Sequence, residues 1–542
     1  MPLHGVGGAC MKHAVGAFLI SAAVVVAGWW WLGRPVPMPV ASLAAGDKLD
    51  CVSYAPYRNA ETPIDLTTRI PPERIEEDLR RLAAVTGCVR TYSVHQGLDQ
   101  VAPIAQRIGL KVMQGLWLGR EPEFNQVQID GAIAIAKRYP DTVRAVVVGN
   151  EVLLRGELSG AALADIVRRV KAQVSVPVTY ADVWEFWLRN RDLVSAVDFV
   201  TIHILPYWED FPIGAGQAAD HVVSIRRQVA DSFAGKDIMI GEFGWPSAGR
   251  MRERALPSPA NQARVVQEVI ARARQEKFGL NVIEAFDQPW KRRFEGTVGG
   301  HWGLLDGTTR TPKFVWGAPV SNHPDWQRNA VLGLILAGGI VGAAFWMARR
   351  GVAGGSSTVW AGVAVTAASG GLLVGLTLEQ ALVESFGWEG VVRSIALLVL
   401  AITGPIAGAA VLAGDRALVS FATVLARRGE RVTGAEALAG WLALAVTVLA
   451  LQAALGLTFD PRYRDFPYAP LTAAVVPLAF LAARMRGAGA RPLAEIAASV
   501  ILVISAIYIA FNESFVNWQA LWFCAVLVAL AAILTRSRDV PG

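Results

Sequence analysis

Cysteine and histidine are scarce in this chain of 542 residues, at four and seven. The histidines show no HExxH or comparable ligand spacing and the cysteines form no CxxC pair, which argues against a zinc site. Also missing are a GxxxxGK loop, a Gly-rich phosphate turn after the first candidate strand, a DxD element and a QxxRW segment. Those absences weigh against a bound nucleotide and against polymerisation from an activated sugar. No basic stripe interleaved with aromatics crosses the charged part of the chain, so the net charge of +6 is not a nucleic-acid footprint. Neither a metal, a cofactor nor a nucleic acid is expected.

Charge and proline are plentiful from about residue 45 to 328 and sparse beyond, and 542 residues exceed what one hydrophobic core organises. His13 to Gly33 (HAVGAFLISAAVVVAGWWWLG) is long enough to cross a hydrocarbon layer of about 30 Å, and Trp29, Trp30 and Trp31 suit its interface. We expect an uncleaved signal anchor over 1–33, the alternative being a signal peptide cut near Ala44, followed by a proline-rich linker over 34–49. Seven further apolar segments lie near 329–348, 357–377, 391–413, 435–457, 468–483, 493–511 and 518–535, giving a C-terminal multi-span membrane domain over 326–538. The segment at 468–483 is the weakest, being short and containing Pro477. Arg349 and Arg350, then Arg416, Arg427, Arg428 and Arg431, then Arg484, Arg486 and Arg491, then Arg536 and Arg538 fall in alternate loops, whereas the remaining loops hold only Arg462 and Arg464. By the positive-inside rule this asymmetry puts both termini in the cytoplasm and residues 34–328 outside, after eight crossings.

Cys10 and Cys524 lie at or in membrane segments. Cys51 and Cys88 lie on the outer side, where a disulfide can persist, and each begins a candidate strand. They could be neighbours, but strand-to-strand geometry often forbids a bridge, so both states stay open.

Between the membrane segments, short apolar strands alternate with amphipathic helical stretches such as PERIEEDLRRLAAV and NQARVVQEVIARARQEKF. Candidate strands are 51–57, 88–94, 111–118, 143–150, 176–184, 198–205, 237–243 and 280–287. Eight of them within residues 50–325 fit an α/β fold, a (β/α)8 TIM barrel, whose active site lies at the C-terminal strand ends. An open doubly wound sheet is the rival. In VVVGNEVLLR (146–155) and IMIGEFGWPS (238–247), apolar runs stop at Glu151 and Glu242, which end the fourth and seventh strands and would both project into the barrel mouth. Paired carboxylates there are the equipment of glycoside chemistry, one protonating the leaving oxygen and the other attacking or activating water. Salt bridges with nearby arginines are the alternative use of such residues.

The segments VRTYS, VVVGNEV, HILPYW, IMIGEFGWPSAG and EAFDQPWKRRFEGTVGGHWGLLDG resemble the family 17 glycoside hydrolases over about residues 50 to 316, a family that includes β-1,3-glucanases and glucan transferases. The resemblance implies that Glu151 is the acid/base and Glu242 the nucleophile of a retaining mechanism. It implies further that Asn150 holds the sugar 2-hydroxyl and that Tyr54, Arg90, Tyr92, His203, Tyr207 and Lys291 stand at matching strand ends. The apolar strand leading to Glu151 is expected to raise its pKa. Trp184, Trp187, Trp208, Trp245, Trp290 and Trp302 are candidate sugar platforms, with about half expected to be core instead. Leu205 stands where plant members usually carry Tyr, a departure that bears on subsites.

The complete arrangement of anchor, barrel and multi-span tail resembles bacterial β-(1→6)-glucan synthases of the cyclic glucan pathway. That implies a periplasmic barrel on the inner membrane, acting on β-glucan donors and acceptors beside a separate glucan synthase. With no nucleotide site, the donor would be preformed β-1,3-glucan. Transglycosylation is favoured; hydrolysis and a non-catalytic glucan-binding or export role are the alternatives.

Overall fold

The computed structural model describes residues 4–44, 46–350, 356–416, 418–425, 433–484 and 492–536. Arg427, Arg428, Arg431, Arg486, Arg491 and Arg538, which carry part of the topology argument, lie outside the described residues. The chain forms two compact units, Val36–Val320 on one hand and Met1–Pro35 with Ser321–Gly542 on the other.

In the first unit, eight parallel strands close in sequence order: β1 (Cys51–Ser53), β2 (Cys88–Arg90), β3 (Lys111–Leu116), β4 (Val143–Asn150), β5 (Val178–Val183), β6 (Val200–His203), β7 (Ile238–Phe243) and β8 (Leu280–Val282). Helices lie between successive strands. Proline opens three of them, Pro72–Leu82, Pro122–Arg138 and Pro259–Glu276, where its missing N–H costs nothing. Ser159 and Ser258 cap two helices by accepting from Ala162 N and Asn261 N.

The pleat assigns alternate residues to the barrel interior and to the helix layer. Cys51, Cys88, Met113, Ala145, Val147, Ala181 and Met239 pack together in one small cluster, while Val52, Val89, Val146 and Val148 join the large core beneath the helices. Cys51 and Cys88 are bonded, with Cα atoms 4.4 Å apart, so the bridge left open by the sequence joins neighbouring strands. Part of the stretch expected as a linker is built into this unit. Val36 and Val320 exchange backbone hydrogen bonds of 2.8 and 3.0 Å, and Leu43 and Leu49 are buried, because these apolar side chains find partners on the barrel.

The second unit is helical. Among the described residues, seven helices are long and apolar enough to cross a membrane: Ala9–Leu32, Trp326–Ala348, Ser357–Glu384, Gly387–Ala413, Gly434–Phe459, Leu493–Asn512 and Trp518–Thr535. Tyr468–Ala482, the weakest expected span, has 15 residues and therefore rises only about 22 Å, short of a hydrocarbon layer. Its side chains are nonetheless mostly buried in the bundle, including Leu471, Leu478 and Leu481. Acidic groups here are held by neighbours: Glu379 accepts from Asn329 Nδ2 at 2.6 Å and meets His323 Nδ1 at 2.7 Å, and Glu495 accepts from Phe421 N at 2.7 Å.

Candidate active site

Two bulges build the site. Val147 pairs with Thr179 and Asn150 with Ala181, so β4 carries one residue more than β5 over that interval, beside Gly149 at φ +86°. On β7, Ile240 pairs with Ile202 but Glu242 with His203, so Gly241 is the extra residue. An inserted residue reverses the in–out alternation beyond it. Met239 and Gly241 face inward, and without the bulge Glu242 would face the helices; with it, Glu242 joins His203 inside. Gly241 also has to lack a side chain, since a Cβ there would come within 2.3 Å of the Thr201 methyl. Glu151 follows β4 with φ +52°, a left-handed backbone that ends the strand and turns the carboxylate over the mouth. Its N–H donates to Ala181 O at 2.8 Å, and Arg155 closes the turn by donating to Asn150 O and, at 2.8 Å, to Leu118 O.

The glutamates face each other. One oxygen from each, with a His203 ring nitrogen, lies within 4.8 Å of the others. His203 stands between them, Nδ1 3.0 Å from Glu151 Oε1 and Nε2 3.7 Å from Glu242 Oε1, with no exposed side chain. Glu242 accepts from Tyr92 OH at 2.8 Å and from Arg90 Nη1 at 3.4 Å. Arg90, fully buried, also donates to Asn150 Oδ1 at 2.6 Å and Gly241 O at 2.7 Å. Ser53 and Asn281 complete this floor: Asn281 Nδ2 donates to Ser53 Oγ at 2.8 Å and to Gly241 O at 2.7 Å, and Ser53 Oγ lies 2.7 Å from Tyr92 OH. Glu151, Glu242 and His203 have the spacing of a metal donor set, but Arg90 already places a fixed cation 3.4 Å from Glu242 and 3.4 Å from His203 Nε2.

The electrostatics correct one expectation. Burial pushes the Glu151 carboxyl up, but the hydrogen bond to His203 and the pull of His203, Arg155 and Arg90 outweigh it, so the group lies below its usual range. Polar and cationic neighbours, brought from other strands and from the turn, offset the effect of burial. Burial and the Glu242 charge hold the Tyr92 phenol well above the usual tyrosine range, so it remains a donor. Burial pushes Asp182, at the end of β5, up to about 6 while it accepts from Tyr180 OH and Leu153 N. Burial pushes Glu284 up to about 7, whereas the same partnership holds Lys291 above the usual lysine range despite burial. Lys291 Nζ touches both Glu284 oxygens at 3.0 and 3.1 Å, the geometry of an ion pair, and we take the pair as charged at neutral pH.

Among the residues expected at the site, Asn150, Arg90, Tyr92 and His203 surround the glutamate pair. Tyr54 does not: it follows inward-facing Ser53, so it points to the helix layer, where its OH donates to Asp78 at 3.2 Å. Tyr207 is buried, donating to Arg250 O at 2.9 Å. Of the tryptophans, Trp187, Trp245 and Trp302 are core residues with 0%, 0% and 3% exposure, whereas Trp184, Trp208 and Trp290 are half-buried. Ser53, Asn281, Arg155, Asp182 and Glu284 were not singled out from sequence. Period-2 alternation from Cys51 could have found Ser53; no comparable signal marks the others.

A closed barrel with two facing glutamates at its strand ends defines a glycosidase-type centre. Residues 51–303 match the BtgE/BtgC glycoside hydrolase domain. A glucan 1,3-beta-glucosidase of Candida albicans is 27% identical over 251 residues, 42% of this chain and 82% of that protein. The probable beta-glucosidase btgE of Emericella nidulans is 30% identical over 238 residues, 40% of each. A solved glycoside hydrolase family 17 beta-1,3-glucanosyltransferase of Rhizomucor miehei is 26% identical, covering 49% of this chain and 96% of that one at a TM-score of 0.44. The barrel is similar to the BtgE/BtgC glycoside hydrolase domain, and the chain is an enzyme of the glycoside hydrolase type.

Proposed function

We propose that the chain is a membrane-anchored retaining transglycosylase acting on β-1,3-glucan, with Glu151 as acid/base and Glu242 as nucleophile. The observation that carries this reading is the separation of the pair, oxygens within 4.8 Å. Retaining pairs stand about 5–5.5 Å apart, whereas inverting pairs need about 6.5–9.5 Å to admit a water. Glu151 gives its proton to the glycosidic oxygen as Glu242 Oε bonds C1 and the leaving sugar departs. Glu151 then takes the proton of an incoming hydroxyl as that oxygen displaces Glu242. Arg90 and Tyr92 hold the Glu242 carboxylate in its attacking orientation, and Asn150, fixed by Arg90, presents its amide to the sugar 2-hydroxyl.

In this reading 1–33 is a signal anchor, 50–325 the catalytic domain and 326–538 a membrane domain of the bacterial inner membrane, with the barrel in the periplasm and both termini cytoplasmic. The resemblance of the whole arrangement to β-(1→6)-glucan synthases supports transfer to a sugar hydroxyl, extending or branching glucan made by a separate synthase. Hydrolysis is the second reading, favoured by the glucosidase names of the curated relatives. Incubating the purified protein with laminari-oligosaccharides decides between them: larger oligomers support transfer, smaller products alone support hydrolysis, and no change removes both.

A further inference from the structure

Among the buried titratable groups of the site that the two-step reaction does not consume, His203 touches the acid/base carboxylate directly. Its ring lies between the two carboxylates with no exposed side-chain surface. Each ring nitrogen has a neighbour. Nε2 faces Arg90 Nη1 at 3.4 Å, and arginine carries donors only, so Nε2 is the accepting nitrogen and the ring proton belongs on Nδ1. Nδ1 faces Glu151 Oε1 at 3.0 Å, so that proton is donated to the acid/base carboxylate.

We propose that His203 is a positioning residue whose Nδ1–H donates to Glu151, orienting it and stabilising its carboxylate form while separating it from Glu242. This rests on the assignment of Glu151 as acid/base. The charged and titratable groups around the ring and its partner are Glu151 on the β4 turn, Glu242 on β7, Arg90 and Tyr92 on and after β2, Asp182 on β5, Arg155 beyond β4, and Glu295, whose charge reaches both glutamates. Of these, His203 holds Glu151 by a side-chain hydrogen bond from Nδ1, and that bond, with the pull of the nearby charges, keeps Glu151 low despite its burial. The chemical consequence is a Glu151 that returns readily to the base form needed to activate the acceptor, in exchange for a narrower pH range in which it is the acid.

The test compares the full-length protein with His203→Asn and His203→Gln on two donors, a laminari-oligosaccharide and a dinitrophenyl β-laminaribioside whose leaving group needs no proton. With the oligosaccharide, activity is lost as pH rises through the Glu151 pKa. Without the His203 donor that alkaline limb of kcat/KM should move to higher pH, with kcat down by about 10–100-fold and KM nearly unchanged. The activated donor should be processed by both variants with far smaller losses, which also shows that they fold. The proposal is overturned if the limb stays in place in both variants, if KM rises at constant kcat, or if neither variant processes either donor. A wild-type limb that persists unchanged on the activated donor removes Glu151 as the acid, and this proposal with it, and is recognisable without any variant.

Discussion

Arg90 on β2 donates to Asn150 at 2.6 Å and to Glu242 at 3.4 Å, so one buried guanidinium ties the ends of β4 and β7 together from inside the barrel. Neither end is held by the other; both are held by a third strand. Replacing Arg90 with Met should leave Glu242 uncompensated and Asn150 Oδ1 without this donor, destabilising the protein by roughly 3–5 kcal/mol. Tyr92→Phe removes one donor only and should lower kcat by about tenfold, roughly 1.4 kcal/mol, with the melting temperature little changed. Thermal unfolding and steady-state kinetics separate the two outcomes.

Glu242→Gln should abolish turnover of every donor, because no glycosyl ester can form. Glu151→Gln should be least harmful with donors whose leaving group departs unprotonated, and small nucleophiles such as azide should restore its second step. Substantial activity in Glu242→Gln would refute the nucleophile assignment.

Asp182 gives a pH dependence of stability. Its folded carboxyl titrates at about 6 against an ordinary 3.8, so between those values the folded protein keeps a proton that the unfolded chain has released. Stability therefore falls as pH rises through that window, by up to roughly 3 kcal/mol. Asp182→Asn has no proton to lose there, so its melting temperature should change less between pH 4 and 7 than that of the parent. Equal changes would mean that Asp182 is ionised throughout.

The Cys51–Cys88 bond leaves two free thiols among the four cysteines, Cys10 and Cys524. Alkylation of the denatured protein should label two cysteines without reductant and four after reduction, read by mass. Replacing both bonded cysteines with Ala should lower stability by about 2–4 kcal/mol, since the bridge closes a loop of 37 residues.

A reporter active only in the periplasm should work when fused after Gly33 and fail at Arg350 and at the C-terminus. Activity at the C-terminus would mean that Tyr468–Ala482, only 15 residues long, does not cross.

Much of this molecule was legible along the chain, because the signals are local. The long apolar helices announce themselves by length and hydropathy, which are properties of each segment alone. The strands from VVVGNE to IMIGEF appear as apolar runs because a parallel barrel strand is covered on both faces. Glu151 and Glu242 stand out as charges at the ends of such runs. The sequence alone therefore determined eight strands, their order and the two carboxylates worth asking about.

What only the tertiary structure decided is which way those side chains point. Alternation along β7 would send Glu242 outward with Ile240; the extra residue at Gly241, visible only in its pairing with β6, turns it in. The same device acts on β4 beside Gly149. Bulges are properties of two strands paired together, as are the 4.4 Å between the Cα atoms of Cys51 and Cys88 and the cation placed by Arg90. The low Glu151 pKa has the same origin, because it depends on residues 52 positions onward and 61 positions back that meet only when the barrel closes.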